Sequence, residues 1–154
     1  MSTKTEGAKV LAKNRKAYYN YTVEDSIECG IELLGTEVKS IKNGKFSFSD
    51  SYVRIKDNEL WLLDFHISTY TQGNILNHEP LRERRLLAHK QEIKRLKRKT
   101  DERGYTLVPL KVYLKRGLIK TEIGLCRGKK LHDKRESIKQ RDLKREYERE
   151  MKEH

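Results

Sequence analysis

Two cysteines, five histidines and 23 carboxylates are the groups from which a reactive centre could be assembled. Cys29 and Cys126 stand about a hundred residues apart with no CxxC pair, so they form neither a redox motif nor half of a zinc site. His66, His78, His89, His132 and His154 show no metal-ligand spacing. Arg127-Gly128-Lys129-Lys130 sets a glycine among cations, but it lacks the loop spacing and the hydroxyl of a phosphate-binding loop. No nucleophile elbow occurs, and nearly every acid has a basic neighbour within four residues. The residue types therefore point away from catalysis, and no cofactor or metal is expected.

The cations carry more information. Lys and Arg number 35 against 23 Asp and Glu, a net charge of +12, which makes a polyanion the first candidate partner. Residues 1–16 hold five basic residues and one acid, 82–99 hold nine and two, and 129–154 hold ten and seven. Three such elements are more than solubility requires. Phosphate contacts confer affinity without sequence choice. Tyr18, Tyr19 and Tyr21 follow the N-terminal basic stretch and could stack on unpaired bases or pack into a core. Glu28 lies on the polar face of a strand, where a carboxylate can accept from cytosine or guanine amines or form a cross-strand pair with Lys120.

The elements that must position these groups are mostly strands. Ile27, Cys29, Ile31 and Leu33 alternate with polar residues, as do Val53 and Ile55, then Trp61, Leu63 and Phe65 after a turn at Asp57-Asn58. Leu110, Val112 and Leu114 lead through a hairpin turn at Arg116-Gly117 into Ile119, Thr121, Ile123 and Leu125. One apolar and one polar face per strand is the pattern of an antiparallel sheet with one buried side, and five or more such strands suggest a small closed barrel. A short helix is predicted over 36–42, stopped by Asn43-Gly44, and a longer one from Pro80 to about residue 98, with a break near His89.

The 154 residues suit one domain, and with 38% charged against 35% hydrophobic residues its core is small. Residues 1–13 read as a flexible basic arm, 14–128 as the β-domain and 129–154 as a C-terminal tail. The tail has only Leu131, Ile138, Leu143, Tyr147 and Met151 to bury, too few to offset its ordering entropy alone. Leu143, Tyr147 and Met151 at spacings of four make a thin stripe that becomes a stable helix only against a partner. No apolar run approaches the roughly 18 residues of a membrane span, and the first sixteen residues lack the apolar stretch of a secretory signal. A cytoplasmic protein is expected. On the residues alone two other readings stay open: a structural protein bound permanently to ribosomal RNA, and a nuclease, which needs a metal or acid cluster not visible here.

Six motifs then add a resemblance. Gly35-Thr-Glu-Val-Lys-Ser40 with Ile41-Lys-Asn-Gly-Lys45, Asp50-Ser-Tyr-Val-Arg54, Asn77-His-Glu-Pro-Leu-Arg82, Gly104-Tyr-Thr-Leu-Val-Pro-Leu110 and Gly124-Leu-Cys-Arg-Gly-Lys-Lys-Leu-His-Asp-Lys-Arg135 resemble, in order and spacing, the SsrA-binding (small protein B) family. The resemblance runs from about Asn14 to the end. It implies a six-stranded antiparallel barrel similar to an OB-fold, with about three helices. It implies a monomer that binds the tRNA-like domain of transfer-messenger RNA and delivers it to stalled ribosomes for trans-translation, with elongation factor Tu and alanyl-tRNA synthetase acting on the same RNA. RNA-binding positions of the family fall on Asn14, Arg15, Lys16, Glu28, Leu87, His89 and Lys120. In the tail, Gly128 matches a hinge, and Lys129, Lys130, His132, Asp133, Lys134, Arg135, Lys139 and Met151 match residues that meet ribosomal RNA as the tail turns helical in the empty message channel of the small-subunit decoding centre. Cys126, where a small Ala is usual, Thr69, where a Pro is usual, and Glu150, in place of one member of an apolar pair, depart from the family pattern.

Overall fold

The computed structural model describes residues 7–70, 76–102 and 104–129. The chain runs β1 (Lys9–Lys13), α1 (Arg15–Asn20), β2 (Tyr21–Ile31), α2 (Gly35–Lys42), β3 (Phe46–Ser47), β4 (Tyr52–Lys56), β5 (Glu59–Leu63), β6 (His66–Ile67), β7 (Arg84–Leu87), α3 (Lys90–Thr100), β8 (Tyr105–Lys115) and β9 (Leu118–Gly128). Strand β8 pairs with β4, β4 with β5, β5 with β7, β7 with β2, β2 with β9, and β9 returns to β8, all antiparallel. Six strands thus form a ring, as expected. It is not laddered evenly: β4 meets β8 only at Val53↔Leu107, and β7 meets β2 only at two positions.

Both foreseen hairpin turns are present. Asp57-Asn58 and Arg116-Gly117 all have positive φ, between 53° and 77°, the backbone of the two-residue turn whose twist suits a hairpin. Bulges at Val23/Asp25 in β2 and Pro109/Lys111 in β8 bend these 11-residue strands around the ring, and Pro109 sits where a ladder donor is dispensable. Ile27, Cys29, Leu60, Leu62, Leu86, Leu107, Val112, Ile123 and Leu125 fill the interior, with Ile93 and Leu96 of α3 packed into the same core. A second cluster lies under α1, where Ala17 meets Val108, Leu110 and Cys126. There a Cβ on Gly124 would stand 2.6 Å from Leu110 Cδ1, so only glycine lets α1's underlayer close.

Three expectations are corrected. Residues 9–13 are not a free arm: they form β1, paired along β8 beyond the reach of β4. In β5 the interior face belongs to Leu60 and Leu62, opposite Ile55 and Val53, while Trp61 is half-buried; the left-handed Asp64 (φ 57°) breaks the alternation and turns Phe65 inward. The helix expected from Pro80 begins only at Lys90. Arg84–Leu87 is strand β7, because its backbone pairs with both β5 and β2 and its Leu86 alternates inward.

Strand β7 is anchored by a buried ion cluster. Glu37 on α2 and Arg84 are both fully buried, with Arg84 Nε on Glu37 Oε2 at 2.6 Å. Arg82 takes the other oxygen at 2.5 Å, and the Leu34 N–H donates to it at 2.8 Å. Arg84 also donates to the carbonyls of Phe65 and Pro80. Beside it, His78 Nε2 lies 2.9 Å from the Ile67 carbonyl, which can only accept, so Nε2 donates; Nδ1 is hydrogen-bonded with the Thr36 hydroxyl at 2.8 Å.

Burial alone would push the Glu37 carboxyl up, but its donors from Arg82, Leu34 and Arg84 outweigh this and hold it below the ordinary 4.5. A carboxyl depressed on folding contributes stability above its unfolded value and loses it as pH falls through the folded one. Glu37→Gln should therefore cost about 3–5 kcal/mol at neutral pH, because Arg84 is left buried without its counter-charge. It should also shrink the loss of stability between about pH 5 and pH 3. Urea unfolding at several pH values measures both; an unaltered acid limb would assign that limb to other carboxyls.

Candidate nucleic-acid interface

The ring's outer face brings together residues far apart in sequence. Leu87 on β7 is the register partner of Gly30 on β2, Gly30 of Lys120 on β9, and Lys120 of Tyr113 on β8. The floor of this row is bare at Gly30, where a Cβ would sit 3.4 Å from Leu87 Cβ and 3.7 Å from Lys120 Nζ. The row opens on a groove of about 280 Å³ lined by Leu33, Val38, Leu87, Leu118 and Lys120. Leu87 and Leu118 are 46% and 59% exposed, which is apolar surface offered to a partner.

One step along the ladder, Glu28 faces Glu122, and Glu122 faces Lys111. Two carboxylates side by side need cations. Lys111 Nζ is 3.8 Å from Glu122 Oε2, and Lys115 Nζ is 3.1 Å from Glu28 Oε2. The Tyr113 hydroxyl donates to the same Glu28 oxygen at 2.6 Å. Burial pushes the Glu28 carboxyl up, but the Tyr113 and Lys115 hydrogen bonds and the nearby Lys115 and Lys120 charges outweigh it and keep it below its ordinary value. The sequence suggested Lys120 as the ion-pair partner; Lys115 takes that place, reaching across β9 from β8, and Lys120 leans toward Gly30. Neither Tyr113 nor Lys115 was singled out beforehand, although Lys111, Tyr113 and Lys115 share the polar face of their strand in the period-two pattern.

The other expected residues lie elsewhere. Asn14 is buried: its side-chain oxygen caps α1 by accepting from the Ala17 N–H at 3.2 Å, and its amide donates to the Pro109 carbonyl at 2.8 Å. Arg15 is exposed, and Lys16 forms an exposed pair with Asp50. Asn14, Lys16, Tyr21 and Ser51 line a recess of about 390 Å³ that shares no residue with the Leu87–Lys120 groove. His89 is the exposed N-cap of α3, two residues past Leu87. Of the nine cations in 82–99, Arg82 and Arg84 serve Glu37, and Arg85 serves Glu32 and Glu59. The six on α3 are exposed; Arg95 pairs with Asp25 and Lys97 hydrogen-bonds to Asn58. Gly128 still pairs with Tyr21, and the Lys129 N–H donates to the Asn20 carbonyl, so the chain is held through Lys129. Lys130, His132, Asp133, Lys134, Arg135, Lys139 and Met151 lie outside the described residues.

Among the described residues no three His, Cys, Asp or Glu side chains are grouped to hold a metal. Cys29 and Cys126 are buried thiols, and burial pushes Cys126 up to about 11. A cationic ring of antiparallel strands, with a bare-floored groove and an exposed basic helix, defines a nucleic-acid-binding β-protein. The family model described as SmpB protein matches residues 11–153. The chain belongs to that family. The SsrA-binding protein of Treponema denticola is 56% identical over 144 residues, 94% of each chain. That of Caldanaerobacter subterraneus subsp. tengcongensis is 52% identical over 153 residues, 99% of this chain and 97% of its own. A solved structure described as "tmRNA-SmpB: a journey to the center of the bacterial ribosome" holds a chain 45% identical that superposes with a TM-score of 0.66 over 78% of this chain and 85% of that one.

Asn14 ties α1 to the β8 bulge from a buried position. Asn14→Ala should therefore lower the free energy of unfolding by about 1–2 kcal/mol, read by urea denaturation. Asn14→Asp keeps the capping acceptor but sets a carboxylate oxygen against the Pro109 carbonyl in a buried site, so at neutral pH it should cost at least as much as Asn14→Ala.

Proposed function

We propose that this chain binds transfer-messenger RNA and brings it to stalled bacterial ribosomes for trans-translation, as a cytoplasmic, non-catalytic monomer. The observation that carries the reading is membership of the SmpB family together with the Leu87–Gly30–Lys120 row on an apolar groove, with Glu28 two residues before Gly30 on the same face of β2. The names of the SsrA-binding relatives and of the solved tmRNA–SmpB structure agree with it. Among the described residues no helix is long and apolar enough to cross a membrane.

Docking then has two physical parts. The exposed α3 cations Lys90, Lys94, Arg98 and Lys99, with Arg15, Lys16 and Lys120, draw the phosphate backbone of the tRNA-like domain. Leu87, Leu118 and the Gly30 floor take an unpaired base, Glu28 reads a donor on it, and the exposed His89, two residues past Leu87, adds a contact to the RNA. Residues 130–154 form the second functional element. Held through Lys129 and free to turn only beyond it, the tail gains helical order inside the empty message channel, where Lys130, His132, Asp133, Lys134, Arg135, Lys139 and Met151 meet ribosomal RNA of the decoding centre. Elongation factor Tu and alanyl-tRNA synthetase meet the RNA rather than this groove.

Glu28→Lys should weaken binding of the tRNA-like domain about tenfold or more, while a neutral change at exposed Lys56 leaves it near wild type. With about six phosphate contacts, log K should fall with log salt at a slope of roughly −4 to −6. Unchanged affinity in Glu28→Lys would remove the groove from the interface. Deleting residues 131–154 should spare RNA binding and abolish tagging on stalled ribosomes in a reconstituted translation assay; tagging that persists refutes the division between ring and tail.

A further inference from the structure

Glu28 is held from behind more firmly than an ion pair requires. Tyr113 is fully buried, yet its hydroxyl reaches out to Glu28 Oε2 at 2.6 Å. Lys115 Nζ donates to the same oxygen at 3.1 Å. Among the described residues no donor reaches Oε1. The carboxylate is thus oriented and neutralised through one oxygen, and the other remains an acceptor. It stands on the outer face, two residues along β2 from the bare Gly30 floor. A phosphate has no donor to give it, whereas a base amine does. Uracil is disfavoured at such an acceptor, because its single ring N–H is flanked by two carbonyls that repel a carboxylate.

We propose that Tyr113 and Lys115 are positioning residues that present Glu28 Oε1 to the exocyclic amine of one unpaired base laid across Gly30, so that the site rejects uracil there. This rests on the transfer-messenger RNA reading above and states how that site chooses a base. The neutralising Lys115 lets an acid stand on a surface that meets a polyanion, and the Tyr113 hydroxyl selects the carboxylate's orientation before the RNA arrives.

The test uses the full-length chain and the tRNA-like domain in a fluorescence titration. Tyr113→Phe and Glu28→Gln should each lower affinity roughly tenfold, the loss of one charge-assisted hydrogen bond. The double variant should lose no more than either single one, because both remove the same contact. Tyr113→Phe removes no charge, so it should leave the salt slope unchanged. Replacing the RNA's unpaired bases singly by uridine should reveal one position whose replacement weakens wild-type binding and has no further effect on Glu28→Gln. Additive losses, or a full-affinity Tyr113→Phe beside a weakened Glu28→Gln, overturn the positioning role. No uridine replacement masked by Glu28→Gln overturns the base contact. If Glu28→Gln itself binds normally, the groove reading fails and takes this proposal with it. Should Tyr113→Phe not fold, Lys115→Met in the same cycle with Glu28→Gln decides.

Discussion

The buried contact between Glu37 and Arg84 is the constraint on which the rest of this molecule turns. Two full charges sit in the interior, and each is tolerable only because the other is there with further hydrogen bonds to complete it. The pair joins α2 to β7 and draws in the carbonyls of Phe65 and Pro80, so the long connection between β6 and β7 is tied down at its C-terminal end. Strand β7 is only four residues long and pairs with β2 at two positions. It is placed by three register pairs with β5 and two with β2, together with this ion cluster and Leu86 in the core. Leu87, the next side chain, is thereby delivered to the outer groove. A change in the interior of α2 would be felt at the outer groove through this one strand.

The surface obeys the complementary rule. A chain of net charge +12 could meet RNA through cations alone, but such a face would grip any phosphate backbone. Here the outer face of β2, β8 and β9 interleaves Lys111, Lys115 and Lys120 with Glu28 and Glu122. The acids subtract from bulk attraction and add a local requirement that a ligand must satisfy. The arginines follow the same economy: Arg82 and Arg84 serve the buried Glu37, Arg85 pairs at the surface with Glu32 and Glu59, and the lysine-rich α3 is left to solvent.

Much of this was legible in the sequence for identifiable reasons. Period-two alternation exposed β2, β4, β8 and β9, and Asp57-Asn58 and Arg116-Gly117 announced their turns, because these signals arise from local backbone geometry. The six motifs carried the ring and its strand count. What failed was decided by distant partners. The Arg84-Arg85-Leu86-Leu87 run continues a helical stripe into Ile93 and Leu96, and nothing local reveals that Arg84 is claimed by a glutamate 47 residues earlier. Strand β1 was hidden because its reason to be extended is the uncovered margin of β8. Glu28 and Lys120 were recognisable as a pair of interest, yet the true partner Lys115 and the supporting Tyr113 emerge only when the hairpin folds. Asn14 was visible in its motif, but its buried capping role was not.

Strand β1 gives the ring one free margin. Closure protects the six ring strands, whereas among the described residues β1 pairs only with β8 and carries no second strand on its other side. That margin is guarded. Lys9 and Lys13 stand exposed at its two ends, and the irregularity between Val10 and Ala12 spoils a flat ladder. A second copy approaching edge-on would meet matching positive charge and a mismatched backbone, so intermolecular sheet extension and fibril seeding are discouraged along this strand.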